Sequence, residues 1–141
     1  MTKKRRIEYI VVHCTATKEG KKFNVEDVRR WHVQGNGWQD IGYHYLIGID
    51  GECWKGRDES VVGAHVSGFN KFSIGVCYVG GLDENGKPKD TRTQKQKQTL
   101  YFLLKELKER YPLAAIVGHN DLNKDKSCPC FDVKKEYSNI Y

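Results

Sequence analysis

A chain of 141 residues with 38% hydrophobic and 30% charged side chains has the composition of a globular domain, large enough to bury a core without disulfide staples. Its formal charge of +6, from 24 basic against 18 acidic side chains, suits a polyanion: nucleic acid, an anionic membrane or a bacterial cell wall. No nucleic-acid-reading motif accompanies the charge and no apolar run approaches the length of a membrane span, so neither nucleic acid nor membrane insertion is expected. The basic residues gather in Lys3-Lys4-Arg5-Arg6 and between Lys87 and Lys97, where solvated surface charge is the plainer reading of each cluster. No apolar core follows the first cluster, so no signal peptide is expected and the chain is read as cytoplasmic when synthesised. One domain spanning residues 1–141, and a monomer, are the expectation. Five cysteines, an odd number, exclude a complete disulfide framework.

In chain order, Ile7 to Cys14 reads as a strand rich in β-branched residues. After a polar loop, Asn24 has the chemistry of a helix N-cap, with Asp27 three residues on and Val25, Val28 and Trp31 as an apolar stripe. Gly35-Asn36-Gly37 should end that helix. Tyr43 to Ile49 is a second strand, Asp50-Gly51 a hairpin turn, and Glu52 to Gly56 the return strand. Residues Arg57 to Asn70 show no periodicity, which in a compact domain points to a functional loop. Ser73 to Val79 is a central strand. Thr93 and Gln96 form a capping box for the longest helix, with Leu100, Leu103, Leu104 and Leu107 as its buried stripe and Tyr111-Pro112 as its stop. Ala114 to Val117 is a further strand, and Asp132 to Tyr137 a short final helix. Strands alternating with helices, one connection being a hairpin, give an α/β fold with a mixed central sheet flanked by helices. Cys53 and Cys77, in strand-like runs, and Cys14 are expected in the core.

The segment Gly118 to Cys130 follows a strand and brings His119, Lys126, Cys128 and Cys130 close together. Imidazole nitrogen and thiolate sulfur are the donors that a soft divalent ion such as zinc prefers. His13, where the first apolar run stops, supplies a third donor. Two histidines and one cysteine leave a tetrahedral corner open, as in a catalytic rather than a structural site. Cys128 and Cys130 flank a proline and both could point the same way, while a disulfide across so short a loop would be strained. His44 competes as a ligand but should face away from the side Tyr43 presents.

Val12-His13-Cys14-Thr15-Ala16-Thr17, Trp31-His32, Asp40-Ile41-Gly42-Tyr43-His44-Tyr45, Gly56-Arg57-Asp58-Glu59, Gly63-Ala64-His65, Asn70, Ser73-Ile74-Gly75-Val76 and Lys126-Ser127-Cys128-Pro129 run in order along the chain. Together they resemble the zinc-dependent N-acetylmuramoyl-L-alanine amidases of the type 2 class, which include small phage amidases and are akin to animal peptidoglycan recognition proteins. The resemblance covers roughly residues 7–132. It implies a zinc at the floor of a surface groove, held by His13, His119 and Cys128, with Tyr43 and Lys126 as catalytic side chains. It also implies a peptidoglycan or muropeptide substrate, cut between N-acetylmuramic acid and L-alanine. From His119 to Cys128 is nine steps, one longer than the phage pattern, and Cys130 stands where that pattern has no ligand.

Trp38, His65 and Asn70 have two readings each. They line the groove and contact substrate, or they anchor their own loops. Two rival functions follow from the same resemblance: a recognition module that binds peptidoglycan without cleaving it, and an amidase that also inhibits an RNA polymerase. Retention of Cys128, Tyr43 and Lys126 speaks against the first. Nothing in the residues gives an independent sign of the second.

Overall fold

The computed structural model describes residues 5–140, so Lys3 and Lys4 of the basic tail lie outside the described residues. The β-branched run forms β1 (Tyr9–Cys14), buried throughout after Tyr9. Strand β2 (Thr17–Lys18) is short. Helix α1 (Val25–Arg30) starts at Asn24, whose side chain accepts the Asp27 N–H at 3.0 Å while the Asp27 carboxylate accepts the Asn24 N–H at 2.9 Å. This capping box satisfies two N–H groups that a helix start leaves unpaired. The helix runs on through a π-helical turn, Trp31–Gly35, and the expected glycine break ends it.

Strand β3 (Tyr45–Ile47) is shorter than the sequence pattern suggests, and β4 (Cys53–Lys55) is its antiparallel return. Tyr43 falls before β3 because the neighbouring backbone is engaged elsewhere: His32 Nδ1 accepts the Gly42 N–H, and the Gly42 and Tyr43 carbonyls accept the Ala64 and Arg57 N–H groups. Strand β5 (Ser73–Tyr78) is wholly buried. Then come β6 (Gly81–Leu82), the long helix α2 (Gln94–Arg110), β7 (Ala115–Gly118), and the short helices α3 (His119–Leu122) and α4 (Val133–Glu136). The Thr93–Gln96 capping box opens α2 as expected. None of the helices among the described residues is long and apolar enough to cross a membrane.

The main sheet has the order β4-β3-β5-β1-β7, with β3, β5, β1 and β7 parallel and β4 antiparallel at the edge. A mixed sheet flanked by helices is therefore what the chain adopts. Alternation along β1 divides its two faces. Ile10, Val12 and Cys14 pack with Leu100, Leu104 and Leu107 of α2, whereas Val11 packs with Val66 and Val117 on the other face. Truncating a fully buried leucine such as Leu104 to alanine costs about 2–5 kcal/mol. His13 shares the parity of Val11, so it faces away from α2. Helix α1 covers this second face further along, with Val28 against Leu46 and Cys77.

Two expectations change. Cys53 is exposed, because β4 is an edge strand and Cys53 shares its outward side with Lys55. Arg5 is not solvated tail: its guanidinium donates to the carbonyls of Glu59 (2.8 Å), Val61 (3.1 Å), Asn70 (2.8 Å) and Ser73 (2.9 Å), and so pins the irregular loop to the start of β5. A second arginine, this one buried, holds the C-terminal segment. The side chain of Arg92 is inaccessible, pairs with Asp90 at 2.9 Å and with Glu136, and lies 3.4 Å above the Phe131 ring. A guanidinium buried this far would be strongly destabilising without such partners.

Candidate active site

The β1–β7 register ends at Val12 opposite Gly118, so the next residue on each strand, His13 and His119, emerges beside the other. Their ring centroids lie 4.7 Å apart. In open sheets of parallel strands, ligands bind beyond the carboxyl ends, and both imidazoles stand there. Cys128 arrives on a loop fastened at several points. Its carbonyl accepts the Asn120 N–H at 2.9 Å, the Tyr78 hydroxyl donates to the Pro129 carbonyl at 2.6 Å, and the Cys14 N–H donates to Cys128 Sγ at 3.0 Å.

One donor atom each from His13, His119 and Cys128 lie within 4.8 Å of one another, and His13 Nδ1 is 3.9 Å from Cys128 Sγ. Ordinary zinc–nitrogen and zinc–sulfur bonds at a tetrahedral angle separate the two donors by about 3.6 Å. The trio therefore fits zinc in donor type, and its His13–Cys128 pair comes close to the spacing zinc requires. Cys130 does not join it, since its Sγ donates to the Gly81 carbonyl at 3.3 Å. The extra residue between His119 and Cys128 leaves the trio assembled.

Burial keeps these imidazoles neutral, as ligands must be. His13 is pushed well below the ordinary histidine range by desolvation, with His65 and His119 adding to it. His119, half-buried, is lowered by desolvation and by the charge of Lys126. His13 Nε2 lies 2.8 Å from His65 Nδ1, and His65 Nε2 lies 3.1 Å from Ser73 Oγ. Gly75 makes room for this arrangement. A Cβ there would sit 2.7 Å from His65 Cγ, so any other residue in the middle of β5 would displace the ring.

Beside the trio runs an open cleft of about 390 Å³ bordered by His32, Trp38, Tyr43, His65, Gly68 and Asn70. Trp38, His65 and Asn70 are thus all placed on it. Asn70 also caps its loop, its Oδ1 accepting the N–H groups of His65 (3.0 Å) and Val66 (2.9 Å). Tyr43 packs 5.2 Å from the His13 ring, and desolvation holds its phenol well above its usual pKa, with Cys77 and Cys128 contributing. It is a proton donor throughout the neutral range. Lys126 stands exposed in a separate hollow with Asn120, Asp121 and Lys124, and its charge acts on His119. His44 lies apart from the trio: its Nδ1 accepts the Gly75 N–H at 3.0 Å and its Nε2 is 2.8 Å from the Val61 carbonyl.

Residues 3–131 match the family model described as N-acetylmuramoyl-L-alanine amidase. The chain belongs to this amidase family. The amidase is 45% identical over 134 residues to the endolysin of Klebsiella phage KP32, covering 95% of this chain and 87% of that one. To the endolysin of Escherichia phage T7 it is 44% identical over 126 residues, 89% and 82% of the two chains. Among solved structures, the endolysin of the Thermus scotoductus bacteriophage Ph2119 superposes with a TM-score of 0.82 at 27% identity, covering 99% of the amidase and 88% of the other chain. The fold, the hydrolase class and the peptidoglycan substrate class read from the sequence all stand.

The residues alone give no individual role to Arg5, read within a solvated basic cluster, or to Ser73 and Gly75, which stand in one of the motifs that carry the resemblance. The signal that could have found Gly75 is its type: a glycine inside a strand-like run marks close approach of another group.

Proposed function

We propose that this amidase is zinc-dependent, with His13, His119 and Cys128 as the protein ligands, and that it hydrolyses the amide joining N-acetylmuramic acid to the L-alanine of the stem peptide. The convergence of two imidazoles at adjacent strand ends with the sulfur of Cys128, brought in by the loop that follows, carries this reading. Zinc held there supplies a Lewis acid and an activated water.

The remaining chemistry falls to side chains around the trio. Tyr43, protonated at neutral pH, is suited to donate a hydrogen bond to the oxygen on which charge grows, and to pass a proton toward the leaving amine. Lys126, whose charge acts on His119, is the cation suited to stabilise the same oxygen. Trp38 and Asn70 border the cleft in which the stem peptide would lie, and so hold the scissile amide in place rather than act on it. The similarity to phage endolysins supports a role in lysis of the bacterial wall, which the chain would reach after release from the compartment of synthesis.

The test is twofold. Protein purified without added metal should carry close to one zinc per chain by elemental analysis. Digestion of purified peptidoglycan should release stem peptides with a free L-alanine amine and leave the glycan intact, as read by mass spectrometry. Full activity after complete removal of zinc would overturn the proposal.

A further inference from the structure

His13 offers its two ring nitrogens to different partners. Nδ1 faces Cys128 Sγ at 3.9 Å, and Nε2 faces His65 Nδ1 at 2.8 Å. A neutral imidazole carries one proton. If Nδ1 is to give its lone pair to a metal, the proton must sit on Nε2, and a buried N–H needs an acceptor. His13 is 1% exposed, so bulk water cannot serve. His65 Nδ1 is the atom placed to accept it.

The same logic then fixes His65. With Nδ1 accepting, its proton sits on Nε2, directed at Ser73 Oγ 3.1 Å away. Ser73 is itself fully buried. Protons arranged the opposite way would have His65 donate to His13 Nε2, place the His13 proton on Nδ1, and close the donor that the trio needs. The tautomer of His65 thus decides whether His13 can act as a ligand.

We propose that His65 is a positioning residue: by accepting the Nε2–H of His13, and donating its own Nε2–H to Ser73, it fixes the tautomer and rotation that turn His13 Nδ1 toward the zinc. This rests on the zinc reading above. It gives His65 a role beyond bordering the cleft, since both its ring nitrogens are already engaged. The surroundings hold the ring for that task. The His65 N–H is tied to Asn70 Oδ1, Gly75 leaves the space the ring fills, and Arg5 fastens the carbonyls of Asn70 and Ser73 on either side. Partners that orient a ligating histidine through its second nitrogen typically contribute 10- to 100-fold in metal affinity.

Two measurements test this. Long-range proton–nitrogen NMR on the metal-free wild-type protein reads the tautomers directly. His13 is expected with its proton on Nε2, and His65 likewise; a His13 proton on Nδ1 would overturn the proposal, whatever the fate of the zinc reading. Chelator competition then gives zinc affinity for the wild type, His65→Leu and His65→Asn. The leucine variant keeps bulk but accepts nothing, and should bind zinc about 10- to 100-fold more weakly. The asparagine variant, whose Oδ1 can stand where Nδ1 stood, should recover most of the loss. Equal affinity in the wild type and the leucine variant, or equal weakening in both variants, would refute the role of His65. A wild type that binds no zinc would instead remove the reading on which it rests.

Discussion

The Sγ of Cys128 stands 3.9 Å from the Nδ1 of His13, while Cys130, two residues further on, turns its thiol to the carbonyl of Gly81. The two cysteines flank one proline, yet the structure gives them different neighbours. The loop that carries them is fixed by the Tyr78 hydroxyl on the Pro129 carbonyl, which leaves little freedom to exchange one sulfur for the other.

Replacing Cys128 by serine should therefore cost most of the bound zinc after dialysis against a mild chelator, because a hydroxyl is a far poorer donor than a thiolate. Replacing Cys130 by serine should leave zinc content near that of the wild type. Metal analysis of the two variants side by side decides it, and the opposite ranking would transfer the ligand to Cys130.

Tyr43→Phe and Lys126→Ala separate metal binding from turnover. Neither removes one of the proposed ligands, so both variants should fold and hold zinc. Loss of a group that stabilises developing charge typically costs on the order of 100-fold or more in kcat. Steady-state kinetics on a soluble muropeptide, with zinc content measured in the same samples, would show it. A folded, zinc-loaded variant with wild-type turnover would return that residue to a packing role.

Acid should destabilise the fold through His44, which is fully buried and whose pKa is lowered to about 4, chiefly by desolvation. The unfolded chain takes up this proton near 6.5, before the folded one does. Stability from this group is therefore complete above about pH 6.5, falls as the pH drops toward 4, and changes no further below that. The full effect is on the order of 3 kcal/mol. Urea unfolding near neutrality and at mildly acid pH should give a lower midpoint in acid. A flat profile between the two would contradict the burial of a neutral His44.

Arg5 predicts a local rather than a global loss. Arg5→Ala leaves four carbonyls without their shared donor, and should lower the free energy of local opening of this loop by about 1–3 kcal/mol. Arg5→Lys should recover only part of this, since an ammonium cannot spread its donors as a planar guanidinium does. Hydrogen exchange should show faster opening of residues 59–73 in the alanine variant, while β1 and α2 keep their protection.

What could be read from the residues was mostly what is local or shared between neighbouring strands. The Asn24–Asp27 and Thr93–Gln96 boxes act within one turn, and both form. His13 and His119 were legible because each ends an apolar run, and parallel pairing of β1 with β7 needs nothing more to bring them together. The rest depends on contacts that leave no pattern. Arg5 binds backbone carbonyls, which every residue has. Cys53 lies exposed because its strand is at the sheet edge, and strand order is not written in a three-residue run. The pairing of His65 with His13 joins positions 52 residues apart through one hydrogen bond.

The metal trio draws on His13 and Cys128, which are 115 residues apart. During synthesis the sheet-forming strands β1, β3 and β5 emerge first, and the cysteine long after them. A nascent chain would then lack the third proposed donor until nearly all of it had been made, and a product cut short before Cys128 would lack it permanently. With the ligands proposed above, amidase activity would be confined to molecules translated through nearly the whole length matched by the family, residues 3–131.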